Sequence, residues 1–487
     1  MADKSFPRLT RRDTLKFGAM TLGTAIAPFG QTLAATQPTA IDSLKMYRKG
    51  QADYEAYRRS LIWNLYKPAR YPEVIVQAET AQDVAAAVKL AKRQGLRVTA
   101  KGTGHTRSAS FMRNGGMLID TAGIIDIQVD PARKVATATP GVRAGMLTAA
   151  LSKHGLFFPT THDASVGIGG FVMSGGFGWC ANRYGFAASN LLGIDVVTAE
   201  GELIHSNDEQ NPDYVWCARG AGPGMFGVVT KYYLRVHDMP KAVHQSTYAL
   251  PNESWREAMQ WLWETCPTMS KDLEVYPFQN YKPGGNDSKL APAMLVSMAA
   301  MSDSKEEAIE ALRPFEANPL VKKASIHKFA EPLDINGLFQ FYGGMMVASY
   351  RYFIESAWTS ASSSDVIAAV GDVLDRPPND LSYSLWLPFP HVKPIPNSAM
   401  SHVSNWCFYM IGLCKTEAED EAVRDWVLEG VRRLEPMSPG LMLNEEDLVT
   451  RPVKNILTPE KWARYTTLKQ KYDPTGVFGG FRTLANA

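Results

Sequence analysis

The sequence predicts an α+β fold in two domains, on three observations. Residues from about Pro68 to Met239 read as strand–helix–strand units whose loops are rich in glycine. Past Met239 the texture changes: glycines thin, and amphipathic helices carrying tryptophan alternate with short strands. The chain has 487 residues, ample for more than one core. Its composition, 45% apolar and 21% charged, is that of a folded globular protein.

Residues 1–35 read as an export signal. "TRRDTLK" is a basic start, "FGAMTLGTAIAPFG" a short apolar run, and "QTLAAT" a small-residue cleavage zone. Arg11, Arg12 and Lys16 resemble a twin-arginine signal, which exports proteins already folded; Thr14 stands where an aromatic residue or leucine is common. The apolar run is too short to span a bilayer, so no stable membrane anchor is expected and the mature protein is expected in the periplasm or outside the cell. An uncleaved basic N-terminus is the alternative. The signal holds five basic residues against two acidic ones; without it the net charge falls from +2 to near −1. With no basic tract in the body of the chain, that balance argues against a nucleic-acid partner.

The elements follow in order. "EVIVQA" is a β-branched run and reads as a strand. Thr80 N-caps the next helix, with Asp83 at its third position. Val84, Ala87, Val88 and Ala91 give that helix an apolar face, and Gly95 ends it. "LRVTAK" returns as a strand and delivers "KGTGHTRSAS", a glycine loop carrying His105. Short strands follow from "GGMLID", then a helix ending near Gly155. A second glycine cluster, "SVGIGGFVMSGGFGWCANRYG", precedes the strand pair "NLLGIDVVTAEGELI". A third, "ARGAGPGMFGVVT", feeds another strand. "SWREAMQWLWETC" and "SKEEAIEALRPFEA" are helices of the second half, and "EKWARYTTLKQKYDPTGVFGGF" is a helix followed by a turn.

Three glycine loops at the ends of predicted strands can offer many backbone N–H groups to a large diphosphate ligand; tight packing of small residues is the plainer alternative. No strand–GxGxxG–helix with a trailing acid occurs, which argues against a nicotinamide dinucleotide fold. His105 behind its glycines can hold a proton, a metal or a cofactor. No partners at metal spacing lie near it, and no metal is expected. The five cysteines, 180, 217, 266, 407 and 414, fit no zinc pattern and are expected to be mostly buried thiols.

The order of "LRVTAKGTGHTRS", "PGVRAGMLTAALSKHGLFFP", the second and third glycine clusters and the closing "KYDPTGVF" resembles the flavoprotein superfamily of vanillyl-alcohol oxidase and p-cresol methylhydroxylase. Within it the sequence is most similar to the berberine-bridge-enzyme-like FAD-linked oxidases. The resemblance spans about Tyr54 to Phe478 and is strongest from Pro68 to Val236. It implies a two-domain flavoprotein. An FAD-binding domain of two α/β subdomains occupies 36–239, its core about 68–239. A substrate domain with an antiparallel sheet covered by helices occupies 240–449, and residues 450–487 return to the FAD domain. It also implies FAD bound through a single covalent 8α link to His105, with Lys101 and Thr103 departing from the family's R-x-G-G-H. Asp163 stands near the position where many members carry a second attachment cysteine. By the same likeness Lys101, Gly102, Thr103, Gly104 and Ser108 wrap the diphosphate. Val166, Gly167, Gly169, Gly170, Gly175, Gly176 and Gly178 line the other side. Asn190, Ile194 and Val196 run along the adenosine and flavin edges.

Hydride removal from a carbon bearing O–H or N–H needs a base for the proton. Related oxidases place a tyrosine after asparagine on a strand of the substrate domain. "GLMLNEEDL" matches it with Asn444 and Glu445, and a carboxylate in an apolar pocket can act as base; a solvated acidic turn is the alternative. Tyr352, Arg351 and His402 are further catalytic candidates, Arg351 to hold an oxygen or carboxylate. Tyr350 neighbours them, and Trp358, Tyr383, Trp386 and Trp406 are candidates for an apolar lining or for ordinary core. The expected function is an exported FAD-dependent oxidase of a small alcohol, lactol or amine with oxygen as acceptor. One rival is a periplasmic dehydrogenase passing electrons to a cytochrome or quinone; another is a flavin- or carbohydrate-binding protein without turnover.

Overall fold

The Thr80 cap closes as the sequence requires. In a computed structural model describing residues 41–285, 287–346, 348–448, 451 and 455–481, the Thr80 side chain accepts from Asp83 N, and the Asp83 carboxylate accepts from Thr80 N. The helix Ala81–Arg93 that follows buries Val84, Ala87, Val88 and Ala91. It crosses from the strand Val74–Gln77 to the strand Val98–Lys101. The expected export signal, residues 1–35, lies outside the described residues.

Among the described residues, the first sheet has four strands, in the order Lys45–Arg48, Val74–Gln77, Met117–Asp120, Val98–Lys101. The last three run parallel, so the loop after Lys101 emerges beside Asp120. The second sheet has five antiparallel strands: Ile127–Asp130, Val135–Ala138, Val228–Arg235, Leu191–Val197 and Leu203–Asn207. Its last pair turns at Gly201, which has φ +74°.

Every strand of the third sheet begins after Pro240. Its order is Ile326–Leu333, Ala242–Pro251, Ala293–Ser302, Leu273–Tyr281, Tyr383–Pro388, Trp406–Cys414, Arg351–Thr359, antiparallel throughout. Side chains of a strand alternate between faces, and here the alternation divides two cores. Leu273 and Val275 join the helices Trp255–Thr265, Lys305–Glu316, Ser363–Leu374 and Asp420–Leu434 on one face. Tyr276 and Phe278 lie in the core shared with the glycine-rich half. That shared core is where the two parts of the chain meet, and residues Pro38–Ala487 form one compact unit.

The last described segment returns to the first sheet. After the helix Pro459–Tyr472, Val98 N donates to Val477 O at 2.6 Å and Val98 pairs with Phe478 in a parallel bridge. All five cysteines are buried and unpaired. Among the described residues no helix is long and apolar enough to cross a membrane.

Candidate active site

The three glycine loops and the third sheet line one cavity of about 330 Å³. One wall is backbone: Lys101–Arg107, Val166, Gly167, Gly169, Gly170, and the Gly222–Val229 loop. The other is side chains of the sheet and its approaches, including Tyr276, Phe278, Tyr342, Leu385, Tyr409 and Ile411. Phe478, Gly479 and Gly480 close one end.

The first loop is fixed from below. Lys101 Nζ bonds Asp120 Oδ1 at 2.9 Å, with both side chains buried. Burial pulls the Lys101 ammonium below its ordinary range, against the pull of Asp120. Gly104 sits at φ +75°, and a Cβ there would stand 2.7 Å from Lys101 Cε and run into the Leu61 carbonyl. Glycine alone makes this turn cheaply, and the turn presents His105 to the cavity.

His105 is 6% exposed and stacks on Trp63, ring centroids 4.6 Å apart. Its Nε2 lies 2.9 Å from Ser165 Oγ and 3.5 Å from Asp163 Oδ2. Ser165 N and Oγ each donate to Asp163 Oδ1 at 2.7 Å. With the Ser165 hydroxyl proton spent on Asp163, His105 Nε2 is the donor. Its Nδ1 is buried with no hydrogen-bond partner. Burial lowers the imidazole pKa, so the ring is neutral at neutral pH. Burial opposes ionisation of Asp163 too, but hydrogen bonds from His105 and Ser165 hold its carboxyl at about 2.

Glu445 lines the cavity, in a loop where the likeness implied a strand. It is paired with the buried Arg107, which grips it through the guanidinium and through its own N–H at 2.9 Å. Asn444 contacts Tyr409: its Nδ2 lies 3.2 Å from the phenol oxygen. Tyr352 is buried and lines a smaller adjoining recess, shared with Ser108, Arg107 and Glu445. Arg351 lines neither space and is tied to Asp420. His402 is also remote from both, packed against Gly440.

The flavin candidates divide in the same way. Lys101, Gly102, Thr103, Gly104, His105, Val166, Gly167, Gly169 and Gly170 line the cavity. Gly175, Gly176 and Gly178 lie outside the lining, packed against Met400 and Met442, against the Phe171 carbonyl, and against the Thr160 carbonyl. Asn190 donates to the Tyr184 and Phe186 carbonyls, while Ile194 and Val196 are core of the second sheet. Trp358, Tyr383, Trp386 and Trp406 are buried core and line neither space.

Sequence reasoning passed over a cluster on the sheet wall. His162 and Tyr276 both line the cavity, with the Tyr276 hydroxyl 2.5 Å from His162 Nε2. Tyr276 also bonds Glu274, which is buried outside the lining and accepts from Ala181 N at 3.2 Å. Arg107 and the Gly222–Val229 loop were equally unassigned, although the loop's glycines were visible. Among the described residues no three His, Cys, Asp or Glu side chains converge as metal ligands.

The cavity fits FAD on its own features. Three separate glycine-bearing segments bring their backbones to one space, as a long diphosphate ligand needs. At Gly170 a Cβ would meet nothing within 4 Å, so the missing side chain leaves the cavity open there. His105, whose buried Nδ1 has no hydrogen-bond partner, lines the same cavity.

Comparison with known proteins agrees with this geometry. Residues 72–207 match the FAD binding domain family. The FAD-linked oxidoreductase nodO of Hypoxylon pulicicidum is 28% identical over 436 residues, 88% of this chain and 94% of its own. The chain is an FAD-linked oxidoreductase, and it resembles the flavoproteins of the vanillyl-alcohol oxidase and p-cresol methylhydroxylase family. (R)-6-hydroxynicotine oxidase of Paenarthrobacter nicotinovorans is 27% identical to this oxidoreductase over 422 residues, 84% of this chain and 90% of its own. BBE-like 1 of Physcomitrella patens superposes with a TM-score of 0.77 at 19% identity, covering 92% of the oxidoreductase and 99% of its own chain. The third match gives the fold: glycine loops facing a helix-covered antiparallel sheet.

Proposed function

We propose that this oxidoreductase is an exported oxidase that carries FAD on a covalent bond to His105. In this reading it oxidises a small alcohol, lactol or amine with oxygen as acceptor. The observation that carries the reading is the two-walled cavity, backbone and His105 on one side, aromatic side chains and proton-handling groups on the other. Bound FAD supplies the acceptor for a hydride from a carbon bearing O–H or N–H. The glycine loops bring backbone N–H groups to a diphosphate without a bulky side chain between. Ser165 and Asp163 hold His105 with its proton on Nε2, which leaves the Nδ1 lone pair for the tether. Phe278, Leu385 and Ile411 keep water from the sheet wall and suit a substrate with an apolar body.

Export is supported by the twin-arginine pattern at Arg11 and Arg12. A tether is consistent with it, since a bonded cofactor cannot be lost outside the cell. The name of the (R)-6-hydroxynicotine oxidase supports a small-molecule substrate and the oxidase reading.

The test is to purify the exported form, precipitate it with acid and record flavin absorbance in pellet and supernatant, with intact mass. A yellow pellet heavier by one FAD, with the adduct on the His105 peptide, is the expected result; yellow supernatant overturns the bond. His105→Ala is expected to fold and hold FAD without the bond, turning over more slowly. Peroxide released with substrate marks the oxidase; a reduced flavin without peroxide marks a protein or quinone acceptor instead.

A further inference from the structure

We propose that Tyr276 takes the proton from the substrate and passes its own to Glu274, with His162 holding it in place. The proposal rests on the reading of the chain as an oxidoreductase of an alcohol or amine, and names the group that deprotonates the substrate.

Three observations carry it. Tyr276 and His162 line the cavity, whereas Glu274 is 6% exposed and does not. A proton entering at Tyr276 therefore has somewhere to go that substrate and water do not reach. Glu274 and Tyr276 stand two apart on the strand Leu273–Tyr281, so they share a face, and the phenol is hydrogen-bonded to that carboxylate. His162 Nε2 lies 2.5 Å from the phenol oxygen and 3.2 Å from Glu274 Oε2. Trp179 fixes the imidazole edge-on, ring centroids 4.3 Å apart.

One assignment satisfies every group. Tyr276 donates to the Glu274 carboxylate, His162 donates from Nε2, and the phenol oxygen keeps a lone pair for the substrate. Burial, followed by the Glu274 charge, raises the Tyr276 hydroxyl well above its ordinary range. Tyr276 is thus a neutral relay and not a standing tyrosinate. In the step, the substrate O–H or N–H bond breaks and its proton goes to the Tyr276 oxygen. The Tyr276 proton moves to Glu274, which becomes a carboxylic acid. With FAD bound, the adjacent C–H bond would break with both electrons leaving as hydride to the flavin, and the carbon would become a carbonyl or imine. Oxygen takes the two electrons afterwards.

The competing groups on this wall are committed elsewhere. Glu445 is locked to Arg107 by two contacts. Tyr409 bonds Asn444, and Tyr342 bonds Ser297 at 2.9 Å; neither partner is an acid. The titratable groups facing Tyr276 are Glu274 on its own strand, His162 from the loop after Thr160, Cys180, and Tyr342 from the helix Ile335–Gly343.

The experiment uses the holoenzyme without oxygen, following flavin bleaching by a panel of primary and secondary alcohols and amines across pH. Tyr276→Phe is expected to slow bleaching by about 10²-fold or more, the ordinary share of a general base. Its flavin content and resting spectrum are expected to stay as in the parent. Glu274→Gln is expected to slow bleaching and to change the shape of the pH profile, which misplacement alone would not do. Nitrogen-15 spectra of labelled histidine give a readout independent of turnover: the His162 resonance is expected to shift in Tyr276→Phe. Should phenylalanine at 276 prevent folding, Glu274→Gln and the histidine spectra decide. Parent-like rates and profiles in both variants overturn the relay, as does a loss confined to Glu445→Gln. If no alcohol or amine bleaches the parent flavin, the reading of the function has failed and the relay with it; bleaching without an effect at 276 or 274 sinks the relay alone.

Discussion

Glu445 and Arg107 meet with side chains only 18% and 6% exposed, and Arg107 lies 4.8 Å over the Trp63 ring. Removing one member of a buried pair leaves the other charged and out of water, which costs more than the pair contributes. Glu445→Ala is therefore expected to destabilise the fold by about 3 kcal/mol, read as a lower urea midpoint at unchanged slope. Glu445→Gln should cost less, because an amide oxygen can still accept from the Arg107 N–H. This pair shows why residue roles were unevenly legible. His105 could be found because its signal is local, a turn of glycines directly before it. Glu445 was visible only as an acid in an acidic run, and its cationic partner is 338 residues away in sequence. His162 and Tyr276 are 114 residues apart, and neither carries an unusual neighbour. Only the packing of the third sheet onto the glycine half makes them a site.

The helix Ala81–Arg93 was readable to its cap, because N-capping is a contact between residues three apart. Thr80→Ala is expected to cost about 1 kcal/mol, measured as a fall in melting temperature of the apoprotein. The loops can be probed apart from stability. Gly170 faces the cavity with open space around its missing Cβ, so Gly170→Leu is expected to leave the apoprotein melt near the parent while weakening FAD retention. An equal FAD content would show that the second loop does not reach the cofactor. The third sheet was less legible, for a physical reason. Its strands pair out of chain order: Arg351–Thr359 lies at one edge beside Trp406–Cys414, and Tyr383–Pro388 sits between that strand and Leu273–Tyr281. Periodicity gives each strand its two faces but not its neighbour. Ile326–Leu333 closes the other edge with mostly exposed or half-exposed side chains, so it carries no core signal. The "NEED" stretch matched a strand by likeness, yet it turns, because Glu446 folds back to accept from the N–H groups of Asn444 and Glu445.

Across the whole molecule, buried ionisable groups set how stability responds to acid. His402 and His237 are lowered to about 4, chiefly by burial and then by nearby cations. Their unfolded values lie near 6.5. Between about pH 6.5 and 4 the unfolded chain therefore binds protons that the folded chain refuses, and folding stability falls as pH falls. Glu355 runs the other way: burial pushes it up to about 8, so the folded chain keeps a proton there that the unfolded chain releases. The opposing signs make the difference between variant and parent the useful quantity. His402→Asn is expected to lose less stability than the parent between pH 7.5 and 5, by on the order of 2 kcal/mol in chemical denaturation. Parallel pH dependences in the two proteins would mean that His402 titrates normally.

The bridge from Val98 to Phe478 ties the last described turn to the first sheet, and the same turn closes the cavity. The chamber is thus latched by a strap that lies far along the chain from the loops it helps to enclose. A chain cut back before Val477 is expected to keep its sheets yet leave FAD behind on gel filtration, whereas the full chain retains it.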